Sequence, residues 1–80
     1  MTTSHLAQDQ LAALIADAMP ERILSFKFSD SIQERIEMLV GRKKAGTILP
    51  TEADELEKYL TYDSLIGLAK ARAFRRTALP

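Results

Sequence analysis

An all-α fold is what this sequence predicts: a small three-helix domain with a long C-terminal helix and a helical hairpin around residues 45–49. Three observations carry that expectation. Apolar residues recur at helical spacing in three separate stretches. Cap and breaker residues stand between those stretches, where helices should stop and start. Only one segment alternates as a strand would, so a sheet has no second strand to pair with.

The first helix is expected from about Ser4 to Met19, with Leu6, Leu11, Leu14, Ile15, Ala18 and Met19 on one face. Thr3 or Ser4 can cap it, and Pro20 biases Met19 away from helical geometry and ends it. Residues 20–28, PERILSFKF, admit two readings. Pro20 can open a short helical turn, or Leu24, Phe26 and Phe28 can alternate with Ser25 and Lys27 in a strand. A lone strand leaves its backbone groups unpaired, so a helical turn followed by an extended linker is favoured.

The second helix is expected over about 31–44. Ser31 followed by Glu34 matches a capping box, and Ile32, Ile36, Leu39 and Val40 line one face. Arg42, Lys43 and Lys44 fall in the last turn, where cations suit the helix dipole, and Gly46 closes the helix. The third helix is expected over about 50–76. Pro50 fits its first position, Glu52, Asp54 and Glu55 suit its positive end, and Asp54 is four residues before Lys58. Its middle is apolar on most sides, through Leu56, Tyr59, Leu60, Tyr62, Leu65, Ile66 and Leu68. Such a helix should be buried on several sides, more than two short helices can cover.

Composition bounds the chemistry. Eighty residues make one domain, 1–80, which buries only roughly 60–65% of its unfolded surface. With no Cys there is no disulfide framework and no thiolate nucleophile, and His5 has no companion to hold a metal. No cofactor or metal is expected, and nothing resembles a catalytic constellation. The acid pairs Glu34 with Glu37 and Asp54 with Glu55 read as solvated helix faces. Asp63 falls within the apolar arc, as a buried hydrogen-bonded acid or as the edge of an interface. Gly41 and Gly46 flank basic residues without the spacing of a phosphate loop. No apolar run is long enough to span a membrane and no leader is visible, so the cytoplasm is the expected compartment.

The 11 basic and 11 acidic residues cancel, but not locally. Residues 1–40 carry Arg22, Lys27 and Arg35 against Asp9, Asp17, Glu21, Asp30, Glu34 and Glu37, a net −3; residues 41–80 compensate at +3. That polarity suits antiparallel self-association or an oppositely charged partner. Two basic clusters, Arg42, Lys43 and Lys44, and Lys70, Arg72, Arg75 and Arg76, lie at helix C-termini. Dipole compensation explains them; contact with nucleic acid or an acidic partner is the alternative. The stripe of Leu56, Tyr59, Tyr62, Leu65, Ile66 and Leu68 is expected to supply core and partner interface together, in a homodimer, with a cognate protein, or both.

Residues 31–47, SIQERIEMLVGRKKAGT, lead into Ile48-Leu49-Pro50, then Glu52, Glu55-Leu56 and Tyr59-Leu60. Leu65-Ile66-Gly67-Leu68 and Lys70-Ala71-Arg72-Ala73 follow. Over about residues 23–74 this pattern resembles a set of short, mostly uncharacterised bacterial helical proteins regarded as antitoxin-like partners of a toxin or nuclease. The resemblance implies a helical hairpin and a protein-binding role; a nucleic-acid-binding regulator using the C-terminal basic clusters is the alternative function. One position departs from the pattern. Leu49 stands where the family outline has a Thr cap, and losing such a cap costs about 1 kcal/mol. Thr47 or Thr51 can compensate, or Leu49 can pack as an apolar plug.

Overall fold

The computed structural model describes the backbone of residues 3–78 and the side chains of residues 7–77. His5 and Leu6, and the cap expected from Thr3 or Ser4, lie outside the described side chains. Among the described residues there is no strand, and the helices run α1 (Thr3–Ala18), α2 (Pro20–Ser25), α3 (Asp30–Ala45) and α4 (Pro50–Ala78). The fold is all-α, with the long C-terminal helix and the hairpin at 45–49 that the sequence predicts.

Pro20 sets the first boundary. It displaces Met19 to φ −139°, ψ 58° and itself occupies the opening of α2. The interruption is a single residue, because the Met19 amide still donates to the Ile15 carbonyl and the Met19 carbonyl accepts from the Ile23 amide, both at 2.9 Å. At Phe26 the chain turns extended, so 20–28 is a helical turn and a linker.

The cap of α3 is Ser29, two residues earlier than the capping box places it. Its Oγ accepts from the Ile32 amide at 3.4 Å, while Ser31 lies inside the helix and shares a 3.2 Å hydrogen bond with Ser29. At the other end Gly46 takes φ +76°, a left-handed conformation that glycine adopts without steric cost. The Gly46 amide donates to the Lys43 carbonyl at 3.1 Å and the Thr47 amide to Arg42 at 2.9 Å, a Schellman closure that pairs carbonyls otherwise left open.

The contacts sort into two compact units. Among the described residues, one holds those up to Phe26 together with those from Asp63, and the other holds Lys27–Tyr62. In the first, the core is Ala12, Ala16, Ile23, Ala69 and Ala73, with Ile15, Leu24, Leu65 and Ile66 packed around it. Four of its five buried members are alanines, and small side chains let helix backbones approach closely. The face of α1 expected to be buried is therefore the wrong one. Leu11, Leu14, Ala18 and Met19 are exposed, and the helix turns its alanines inward. Among the described members of the expected set, only Ile15 reaches the core.

In the second unit, α3 and the first turns of α4 form the hairpin. Leu39 and Leu56 are its buried apolar side chains, with Ile32, Ile36, Val40, Ile48 and Tyr59 half-buried. Leu39 and its neighbours form the face that the sequence pattern assigns to α3.

Candidate interaction surfaces

The hairpin carries the densest polar chemistry. Glu52, placed by the sequence pattern at the positive end of α4, is buried there at 8% exposure. Its Oε1 accepts from the Leu49 amide at 3.0 Å, and its Oε2 pairs with Arg42. The first contact is the half of a capping box that does not need a hydroxyl at the cap position. The missing Thr is thus offset by a carboxylate three residues on. Leu49 does not act as a plug, being exposed, and the Thr47 hydroxyl serves the end of α3 by donating to the Arg42 carbonyl at 3.5 Å.

Glu55 departs from the solvated face expected for it and is half-buried. It accepts a bidentate pair from Arg35, Nε to Oε2 at 2.9 Å and Nη2 to Oε1 at 2.7 Å, and a third bond from the Tyr59 hydroxyl at 2.9 Å. Arg35, then Tyr59, lower the Glu55 carboxyl to about 2, against a smaller opposing effect of desolvation. Its hydrogen bond to Glu55 raises the Tyr59 hydroxyl above its ordinary value. The cluster links α3 to α4 as a structural network. The i to i+4 pair of Asp54 with Lys58 does not form, and both residues are exposed, as are Glu34 and Glu37.

The apolar stripe of α4 divides by residue. Leu56 is spent on the hairpin core, and Leu65 and Ile66 pack on the alanine cluster of the other unit. Tyr59 is half-buried with its hydroxyl on Glu55, whereas Tyr62 and Leu68 are exposed. Residues 60–64 are all exposed, so the middle of α4 is not buried on several sides, and Asp63 is an exposed acid. Apolar composition there marks surface that the described chain leaves uncovered.

The basic clusters are largely committed to internal contacts. Arg42 pairs with Glu52, and Lys70 donates to the Phe26 carbonyl at 2.6 Å. Arg72 reaches Asp17 at 3.4 Å, and Arg76 pairs with the same carboxylate oxygen. Desolvation pushes the Asp17 carboxyl up, but the bonds and charges of Arg76 and Arg72 together outweigh it, and the net shift is downward. Lys43, Lys44 and Arg75 remain exposed, the first two in one unit and the third in the other.

Sequence reasoning missed the Glu52 clamp and the outward leucines of α1. The clamp had a signal, an acid three residues after the cap position. The leucines had one too, since Ala7, Leu11, Leu14 and Ala18 recur at intervals of four, three and four. Among the described residues no group of three or more His, Cys, Asp or Glu could hold a metal ion, and no helix is long and apolar enough to cross a membrane. No family model, no curated protein and no solved structure matches the chain.

Proposed function

We propose that this chain is a protein–protein interaction module of the cytoplasm, antitoxin-like in that it acts by covering a partner with apolar helix faces. The observation that supports the reading is the set of large apolar side chains left at the surface of each unit. Leu11, Leu14 and Phe74 are exposed in one, and Leu49, Leu60 and Tyr62 in the other. Isolated exposed leucines are ordinary, but several on so short a chain supply the apolar area on which helix-mediated recognition depends. The nucleic-acid alternative loses ground because Arg42, Lys70, Arg72 and Arg76 already have internal partners.

The test is co-purification of the tagged chain with the product of its neighbouring gene, followed by titration with purified components. A defined complex is expected, weakened about tenfold or more by Leu60→Asp together with Tyr62→Asp. Absence of any protein complex, with duplex DNA bound at low salt and released steeply as salt rises, would establish the nucleic-acid function instead.

A further inference from the structure

We infer that the outer face of α1 is a self-recognition surface, covered by α1 of a second copy of this chain running antiparallel to it. The inference rests on the interaction function and names one of its partners. Ala7, Leu11, Leu14 and Ala18 occupy the a and d positions of a heptad seam, and all four are exposed in the single chain. Leu11 is 51% and Leu14 64% exposed, while the opposite side of the helix, Ala12 and Ala16, is already taken by the chain's own core. The leucines are therefore surplus to the fold of the unit that carries them.

The order Ala-Leu-Leu-Ala reads the same in both directions. An antiparallel twofold pairing sets Leu11 against Leu14 of the second copy and Ala7 against Ala18, so one patch complements itself without a second surface. The distribution of charge favours this direction over the parallel one. α1 carries Asp9 in its first half and no basic residue among those described. At its far end two guanidinium groups, Arg72 and Arg76, converge on the single carboxylate of Asp17, leaving an excess of positive charge there. Antiparallel pairing brings that end towards the more acidic half of the other copy, where Asp9 lies on the side away from the seam and acts only at long range, whereas parallel pairing brings like ends together. Opposed helix dipoles favour the same arrangement. The flanking Gln10 then faces Asp17 of the second copy, an amide beside a carboxylate, with no like-charge clash.

The seam is short, below the area of a standard stable interface, so the expected dissociation constant is on the order of 10–100 µM. Sedimentation equilibrium of the full chain from about 5 to about 500 µM brackets that range. A monomer–dimer equilibrium is expected, with Leu11→Asp and Leu14→Asp each weakening it about tenfold or more while far-UV circular dichroism is unchanged. Because the sequence has no cysteine, direction can be read by disulfide trapping. A mixture of Ala7→Cys and Ala18→Cys chains should form the mixed disulfide, and neither chain should link efficiently to its own kind. A monomer throughout the range, a dimer indifferent to both aspartates, or a dominant 7-to-7 product would each overturn the inference. A chain that stays monomeric yet binds its neighbouring gene product overturns this inference alone and leaves the interaction function standing. A dimer without any second protein partner upholds this inference and removes only the antitoxin-like action on another protein.

Discussion

Glu52 pairs with Arg42 across the turn between α3 and α4, and the same carboxylate accepts the Leu49 amide at 3.0 Å. One buried acid therefore closes the start of one helix and holds the last turn of another. Replacing it should cost more than an ordinary surface ion pair, because the Leu49 amide and the Arg42 guanidinium both lose their acceptor. Glu52→Ala is expected to destabilise the chain by about 1–3 kcal/mol, and Glu52→Gln by less, since an amide oxygen can still accept from Leu49. Urea titrations followed by circular dichroism check the order.

Acid should weaken the hairpin through Glu55. Its folded-state value, about 2, lies below the ordinary carboxylate value of 4.5, so the folded state holds the proton less tightly than the unfolded chain. The stabilisation is fully present above about pH 4.5 and is lost as pH falls towards 2. Glu55→Gln should flatten that part of the acid limb without changing the slope near neutrality. An unaltered pH profile in the variant would show that the Arg35–Glu55–Tyr59 network contributes nothing.

Two glycines should respond with opposite signs. Gly46 sits at φ +76°, so Gly46→Ala is expected to destabilise by about 1–2 kcal/mol. Gly67 lies within α4 with open space where a Cβ would be, so Gly67→Ala should stabilise by up to about 1 kcal/mol. Thermal midpoints of the two variants distinguish them directly.

The packing of α1 predicts an inversion of the usual hydrophobic rule. Ala16 has no exposed surface and adjoins other alanines, so Ala16→Leu should overpack the core and cost about 1–3 kcal/mol. Leu14→Gln removes an apolar side chain from solvent-facing surface and should change monomer stability by less than about 0.5 kcal/mol. Chemical denaturation at low protein concentration separates the two.

Helices, breakers and the Gly46 closure were legible because each follows from local backbone chemistry. Pro20 and Pro50 restrict the residues before them, and Gly46 permits the left-handed turn, whatever the rest of the chain does. The α3 face was legible as well, since its periodic large residues coincide with its contacts. Burial of α1 was not, because size and hydrophobicity favour Leu11 and Leu14, whereas close helix approach favours Ala12 and Ala16. That preference depends on Ala69 and Ala73, more than fifty residues away in sequence. Glu55 was misplaced, and the Glu52 clamp missed, for a similar reason. An acid near a helix start looks solvated until its partners, Arg42 and Arg35 on another helix, are known. The candidate surface shifted accordingly, with Leu56 committed to the core, Tyr62 and Leu68 left exposed, and Leu11 and Leu14 added.

Thiol reactivity along α1 tests the inverted packing most directly, because the native sequence offers no competing cysteine. Leu14→Cys and Ala16→Cys chains would be labelled at micromolar concentration, where any self-association is slight. Leu14→Cys should react at nearly the rate of the unfolded chain, and Ala16→Cys should be protected about 100-fold or more by the structure that must open to expose it. Protection at 14 with free reaction at 16 would contradict the packing of α1 and remove the surface on which its self-recognition depends.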